Sequence, residues 1–426
     1  RLMFGIILIL LVVLLFAGVP IAHALGIETM IYMLERDIGL SSIAQKFFSG
    51  CDSFTMLAIP GFMLAGNLMN HGGITDRIVG FCQRMFGKMR GGLGVANVAA
   101  SMIFAGISGS AVGDTASIGG ILIPGMKKEG YPADYSVGVT AASSCLAPII
   151  PPSIPMIVLA GCTSLSVGKL FIAGAIPGII LGLLQIALCL FLAYRDKHPR
   201  GVKCTAREMF KSFLDAFWAL LMVVIILVGI LSGIFTPTEA SIIAVIYAWI
   251  IGTFVYRELP LRDIPKIILD SMLQAVAVLA ITGFASGFAW VLAREQIPTT
   301  IASAITSVTS NKFLILVLIN LLLLFVGCFM ETLSALLILM PVLLPIAGVI
   351  GMNTIQFGVM CVLNLVIGLC TPPVGVCLAT ACGIGEISLS DGTKGIAPFY
   401  LCALLVLILV AAVPEITVWL PTLILG

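Results

Sequence analysis

The sequence predicts an all-α polytopic membrane protein made of two copies of one segment, inverted relative to each other, each with a re-entrant helical hairpin. Three observations predict it. The first is composition: of 426 residues 60% are hydrophobic and 10% charged, against roughly 25% charged in a soluble domain. The second is an ordered repeat. Leu57–Phe62 (LAIPGF) returns as Leu279–Phe284 (LAITGF), Asp114-Thr115-Ala116-Ser117 as Glu331-Thr332-Leu333-Ser334, and Pro151-Pro152 as Pro372-Pro373, at spacings of 222, 217 and 221. Each acid has a proline ten positions on, Pro124 and Pro341. The third is the distribution of basic residues. Clusters at Arg77 to Arg90, Lys127-Lys128, Arg195 to Lys211 and Arg257 to Lys266 mark cytoplasmic loops. Duplicated apolar segments broken by Gly and Pro at matching places are the sequence mark of a secondary transporter.

The elements follow in chain order. Residues 1–50 are expected to hold a first membrane helix, Leu2–Val19, and an outer loop. Repeat one spans 51–195. In it Leu93–Ile107 and Ala111–Met126 are separated by Ser108-Gly109-Ser110 and have basic residues at both outer ends, so the pair enters and leaves on the cytoplasmic side. Ala133–Gly168 then crosses outward as a broken span, and Phe171–Tyr194 returns. The central part, 196–266, holds an arm at Lys203–Lys211 and an out-and-back pair, Phe217–Phe235 and Glu239–Tyr256. Repeat two spans 267–426. Ile267–Ala293 crosses outward, so the hairpin of Phe313–Met330 and Thr332–Ile350 enters from the opposite face. Ile355–Gly385 is the second broken span, and Ile396–Leu420 ends outside. Ile74–Arg90 alternates apolar and basic residues at helical spacing and reads as a helix on the cytoplasmic interface, with Thr299–Val308 as its outer counterpart.

Several chemistries find no support. Twelve cysteines occur without a C-x-x-C, and His23, His71 and His198 are far apart, so neither a disulfide framework nor zinc is expected. Gly113-Asp114 has the Gly-Asp of intramembrane aspartyl enzymes, but residue 111 is Ala and the matched acid enters from the other face. No enzyme, no organic cofactor and no nucleic-acid partner is expected.

The chemistry should sit where the backbone breaks. Inside hydrocarbon, broken helices survive only against protein or a wet cavity. Each copy breaks twice: at a hairpin tip, Gly106–Gly113 or Gly327–Glu331, and at a Pro-Pro span, Ala147–Ser153 or Gly368–Gly375. Proline removes a donor and frees the carbonyl four residues earlier. Pro151, Pro152, Pro372 and Pro373 therefore free several carbonyls, which with nearby hydroxyls make oxygen cages suited to Na⁺ as coupling ion. One cage is assigned to Ser108, Ser110, Ala147 and Ile150, the other to Gly327, Gly368, Thr371 and Val374. Asp114 and Glu331 admit three readings: cation ligand, cap on the outgoing hairpin helix, or proton relay. A substrate anion would lie between the tips, with Ser108, Ser110, Ser143, Ser144, Ser153 and Ser334 as candidates, unless these hydroxyls bond to their own helices.

At these residues (Leu57–Phe62, Ser108 to Thr115, Ala147–Ser153 into Pro155, Glu331–Pro341 and Thr371-Pro372-Pro373) the chain resembles the large membrane subunit of the tripartite ATP-independent periplasmic (TRAP) transporters. The resemblance covers essentially the whole chain. It implies a prokaryotic inner-membrane protein of the ion-transporter superfamily, an elevator mechanism, and Na⁺-driven uptake of an organic anion such as a C4-dicarboxylate, sialic acid or another sugar acid. It implies two protein partners, a small four-helix membrane subunit and a periplasmic substrate-binding protein. The alternatives are a self-sufficient Na⁺/carboxylate symporter and a channel. The outer face has few charges to steer an anion, so a binding protein is expected to dock there, at Gly161–Lys169, Arg294–Thr300 and Ser310–Lys312.

Overall fold

A computed structural model describes residues 10, 13–14, 17–39, 41–201, 204–301 and 311–425. The expected first helix falls mostly outside the described residues, as do Lys203, most of Thr299–Val308, and Ser310. The described residues form eighteen α-helices and one π-helical turn, Ile251–Val255. Seven helices are long and apolar enough to cross a membrane, by length and composition.

Among the described residues the first four helices are α1 (Ile21–Glu35), α2 (Ser41–Cys51), α3 (Ala58–His71) and the interfacial α4 (Ile74–Phe86). Helix α4 buries Ile74, Ile78, Val79 and Cys82 on one side, the spacing of an amphipathic face. Hairpin one is α5 (Gly92–Ser108) and α6 (Ala111–Lys128). The first broken span is α7 (Ala133–Ser144) and α8 (Ile154–Thr163), followed by α9 (Val167–Arg195). The centre is α10 (Ala206–Leu231) and α11 (Pro237–Ile250), each opened by a capping box, Thr205 with Glu208 and Thr236 with Glu239. Helix α12 (Ile264–Arg294) leads to hairpin two, α13 (Lys312–Phe329) and α14 (Thr332–Val349). The second broken span is α15 (Thr354–Gly368) and α16 (Val376–Gly385), and α17 (Leu389–Ala412) and α18 (Glu415–Leu425) close the chain.

One shift relates the copies. Helix α6 runs from 111 to 128 and α14 from 332 to 349, a difference of 221 at both ends. The same shift carries Pro124 onto Pro345, Pro151 onto Pro372 and Pro177 onto Pro398. Packing obeys it too. Helix α6 lies against α16 of the other copy, and α14 against α8 of the first. Helix α7 packs on α17, and α15 on α9. The copies are thus interleaved. They meet where Cys145 Sγ lies 3.2 Å from Cys370 Sγ at the ends of the two broken helices.

Beside this block, α12 packs on α1, α2 and α3, and α3 on α11. Glycines permit the close approach. A Cβ on Gly283 would lie 2.6 Å from the Phe47 ring, and one on Gly287 3.2 Å from Thr29, the small-residue contact typical of helices in membranes.

Four expectations need correction. Where an outer loop was expected stand α1, Ile21–Glu35, and α2, Ser41–Cys51. The arm is not separate: Thr205 starts α10, which continues unbroken through Trp218 to Leu231. The last span begins at Leu389 and ends at Ala412, before Val413 and Pro414. Finally, Asp114 and Glu331 are not equivalent. At a shift of 221, Glu331 matches Ser110 and Asp114 matches Ala335. Helix α14 carries both Pro341 and Pro345, four residues and so about one turn apart, and the sequence match had taken the wrong one.

The junction of copy two gives a stability prediction. A Cβ on Gly368 would sit 2.5 Å from Gly327 Cα and 2.6 Å from its carbonyl carbon. Gly368→Ala should cost roughly 1–3 kcal/mol as an overpacking change. It should lower the thermal unfolding midpoint of the purified protein. Gly120→Ala, where a Cβ meets nothing within 4 Å, should leave it unchanged.

Candidate functional site

In both copies the tip and the Pro-Pro break are brought together. In copy one, Gly109 has φ +58°, and a Cβ there would lie 2.8 Å from Pro152 O and 2.9 Å from Ile154 N. Only glycine allows that approach in that backbone conformation. In copy two, Gly375 N donates to Cys328 O at 3.3 Å. A Cβ on Gly327 would lie 2.9 Å from Leu365 O and 3.1 Å from Gly368 Cα. The two Pro-Pro bonds, Pro151-Pro152 and Pro372-Pro373, are cis.

Between the tips lies a narrow cleft. Ser110 and Val112 of hairpin one, Glu331 and Thr332 of hairpin two, Pro148 of the first break and Met63 of α3 line it. Its volume is about 30 Å³, room for a water or two. Ordinary ligand pockets hold several hundred Å³, so admitting an organic molecule requires the tips or the α3 face to separate.

Two helices begin at this cleft with different caps. Ser110 Oγ accepts from Gly113 N at 3.3 Å at the start of α6. Glu331 accepts from Leu333 N at 3.0 Å at the start of α14. Of the three readings of the acids, capping describes Glu331 but not Asp114. Asp114 sits a turn inside α6, fully buried, with Oδ2 3.0 Å from Ser101 Oγ.

The expected site residues divide accordingly. Ser110 lines the cleft, and Ser108 and Ser334 lie next to lining residues. Ser143, Ser144 and Ser153 do not line it, and all three are fully buried. Ser144 Oγ donates to Thr140 O at 2.8 Å, Ser143 Oγ lies 3.0 Å from Asn97 Oδ1, and Ser153 caps α8 through Met156 N at 3.2 Å. These hydroxyls serve the protein's own helices. Ala147 and Ile150 lie in the irregular turn between α7 and α8, and their carbonyls accept no hydrogen bond among the described residues. The Gly368 carbonyl is partly used, accepting from Thr371 N at 2.8 Å. Val374 is exposed.

The sequence reading missed Thr332 and Met63. Thr332 is buried at the cleft with no hydrogen-bond partner for Oγ1 among the described residues. Its place directly after Glu331 was the available signal. Nothing in the sequence distinguishes Met63 from other apolar residues of α3.

The family model for the tripartite ATP-independent periplasmic transporter, DctM component, matches residues 8–416. The chain is 40% identical over 415 residues to the sialic acid TRAP transporter large permease protein SiaM of Vibrio cholerae, covering 97% of each chain. It is 36% identical over 429 residues to the C4-dicarboxylate TRAP transporter large permease protein DctM of Rhodobacter capsulatus, covering 97% of this chain and 98% of that one. Among solved structures, the Alcanivorax borkumensis YdaH transporter is similar with a TM-score of 0.65 at 14% identity, over 87% of this chain and 86% of that one. That likeness concerns the fold, which is the inverted-repeat, two-hairpin architecture read from the sequence. With a family match over nearly its whole length and apolar helices of spanning length, the chain belongs to the DctM component of the tripartite ATP-independent periplasmic transporters and is a multi-pass protein of the inner membrane.

Proposed function

We propose that this chain performs sodium-coupled uptake of an organic anion handed over by a periplasmic binding protein, with the hairpins and broken spans moving as one block against a fixed scaffold. The observation that carries the reading is the pair of tip-and-break junctions on either side of one cleft. Junctions built of carbonyls and hydroxyls without a fixed charge suit Na⁺. Ser108, Ser110, Ala147 and Ile150 would hold one ion, and Gly327, Gly368, Thr371 and Val374 the other. The unengaged carbonyls of Ala147 and Ile150 favour the first assignment most.

The substrate class rests on the named relatives, since sialic acid and C4-dicarboxylates are both organic anions. A helix N-terminus attracts an anion through its free N–H groups and dipole. The neutral Ser110 cap leaves α6 the better end, whereas Glu331 already occupies that of α14. We assign the substrate carboxylate to the α6 end, with Ser110 and the unpartnered Thr332 hydroxyl as contacts.

The scaffold would be α1–α3 with α10–α12, beside which the small four-helix membrane subunit would sit. The binding protein would dock on the outer face at Gly161–Lys169, Arg294–Thr300 and Lys312. Lys46 Nζ and the Arg294 guanidinium lie 5.5 and 5.3 Å from the Trp290 ring centroid, and Arg36 pairs with Glu295 at 3.0 Å. That cationic cluster would complement an acidic docking surface.

Three experiments test this. Ser110→Ala and Thr332→Val should each raise the substrate KM about tenfold or more, the loss of roughly 1.5–3 kcal/mol expected for a hydrogen bond to a charged group; an unchanged KM contradicts the placement. A Cβ on Gly106 would lie 2.7 Å from Val223 Cγ1. Bridging Gly106→Cys to Val223→Cys on a cysteine-free background should therefore stop uptake reversibly, and full uptake in the bridged state rules out a moving block. Membrane subunits in vesicles with an inward Na⁺ gradient should take up almost nothing until the binding protein is added. Rapid uptake without it would favour a self-sufficient symporter.

A further inference from the structure

Hairpin one contains a buried polar chain that the sodium reading does not use. Asp114 Oδ2, Ser101 Oγ, Ser143 Oγ and Asn97 Oδ1 follow one another at separations of 3.0, 3.0 and 3.0 Å. All four residues are fully buried. Beyond them, Asn97 Nδ2 donates to Thr140 Oγ1 at 2.7 Å, and Thr140 Oγ1 donates to Ser136 O at 2.8 Å. The chain thus runs from the first turn of α6, between α5 and α7, to the cytoplasmic start of α7. The other copy has no counterpart: the positions 221 residues on are Ala335, Leu322, Asn364 and Leu318.

The hydrogens can be counted. The Asn97 amide donates to Thr140, which points its oxygen at Ser143, and that oxygen carries no hydrogen. The Thr140 hydrogen is used on Ser136 O. Three oxygen-to-oxygen links remain from Asp114 to Asn97, and each hydroxyl brings one hydrogen. Ser101 and Ser143 supply two. With the Asn97 amide in this orientation, a carboxylate at Asp114 would leave one link facing two oxygens with nothing between them. A charge without a cationic partner would also be buried within the membrane, at high cost. A proton on Oδ2 removes both problems: Asp114 donates to Ser101, Ser101 to Ser143, and Ser143 to Asn97. Oδ1, which has no partner among the described residues, is then the oxygen of a neutral acid.

We propose that Asp114 is a proton-binding site, occupied in this conformation and linked by Ser101, Ser143, Asn97 and Thr140 to the cytoplasmic end of hairpin one. A proton is favoured over a metal cation because no oxygen cage surrounds Oδ1. The helices packed on α6 are α4, α5, α7 and α16. Their titratable groups are Asp76, Arg77, Cys82 and Arg84 on α4, Asp134 and Tyr135 on α7, and Cys377 and Cys382 on α16; α5 has none. None of them forms a hydrogen bond or ion pair with Asp114. The neutral acid can travel buried with the hairpin.

Asp114 is the only buried aspartate among the described residues, so infrared spectroscopy can find it without a mutation. The purified full chain in lipid, grown with ¹³C-carboxyl aspartate, should show at neutral pH a protonated-acid C=O band that shifts on labelling. The band should be lost in Asp114→Asn and shifted in Ser101→Ala, which removes its acceptor. The absence of any label-sensitive acid band at neutral pH overturns the proposal, whatever the outcome for sodium. A band that Ser101→Ala leaves in place also overturns it, because the acid would then lie elsewhere.

Discussion

A backbone that leaves its helix inside a membrane has to find partners for its amides and carbonyls without water. In this chain each hairpin tip packs against the Pro-Pro break of the same copy. Gly375 N reaches Cys328 O, and Gly109 lies on Pro152 O and Ile154 N. These contacts need glycine, because a Cβ would collide with backbone atoms that cannot yield. A hairpin tip therefore cannot move far alone without exposing what it covers. The interleaving of α6 with α16 and of α14 with α8 extends the linkage across both copies. The moving block proposed above rests on the same constraint that makes the breaks tolerable.

Within that symmetric frame the chemistry is asymmetric. The caps at the shared cleft are a serine in one copy and a glutamate in the other. The first hairpin is laced to α7 through Asn97, Ser101, Thr140 and Ser143. The second relies on one amide pair, Asn364 Nδ2 to Asn320 Oδ1 at 2.6 Å, within otherwise apolar surroundings. The two faces of the transporter accordingly present hairpins of equal shape and unequal polarity.

Much of this was legible in the sequence, because bulk physical signals carry it. Hydrophobicity, the basic clusters and the Gly/Pro breaks give the two hairpins and both broken spans within a few residues. What was hidden depends on register and direction. The acids were paired one helical turn out of register, since Pro341 and Pro345 offer competing matches to Pro124. The depth of Ser143, Ser144 and Ser153 could be read, but not the side each faces. Val413 and Pro414 end α17, yet the apolar run continues past them, so hydropathy alone joins α17 to α18. Met63 reaches the cleft only because α3 crosses the tips there, a tertiary fact without a local signal.

The central claim is that the two tip-and-break junctions are the ion sites. The most direct measurement is a pair of high-resolution maps of the membrane complex, in sodium and in a large organic cation. The account predicts density at both junctions in sodium alone, ringed by carbonyls of the Ala147–Ile150 and Gly368–Thr371 turns. Density confined to Asp114 or Glu331, or junctions identical in the two maps, would contradict it.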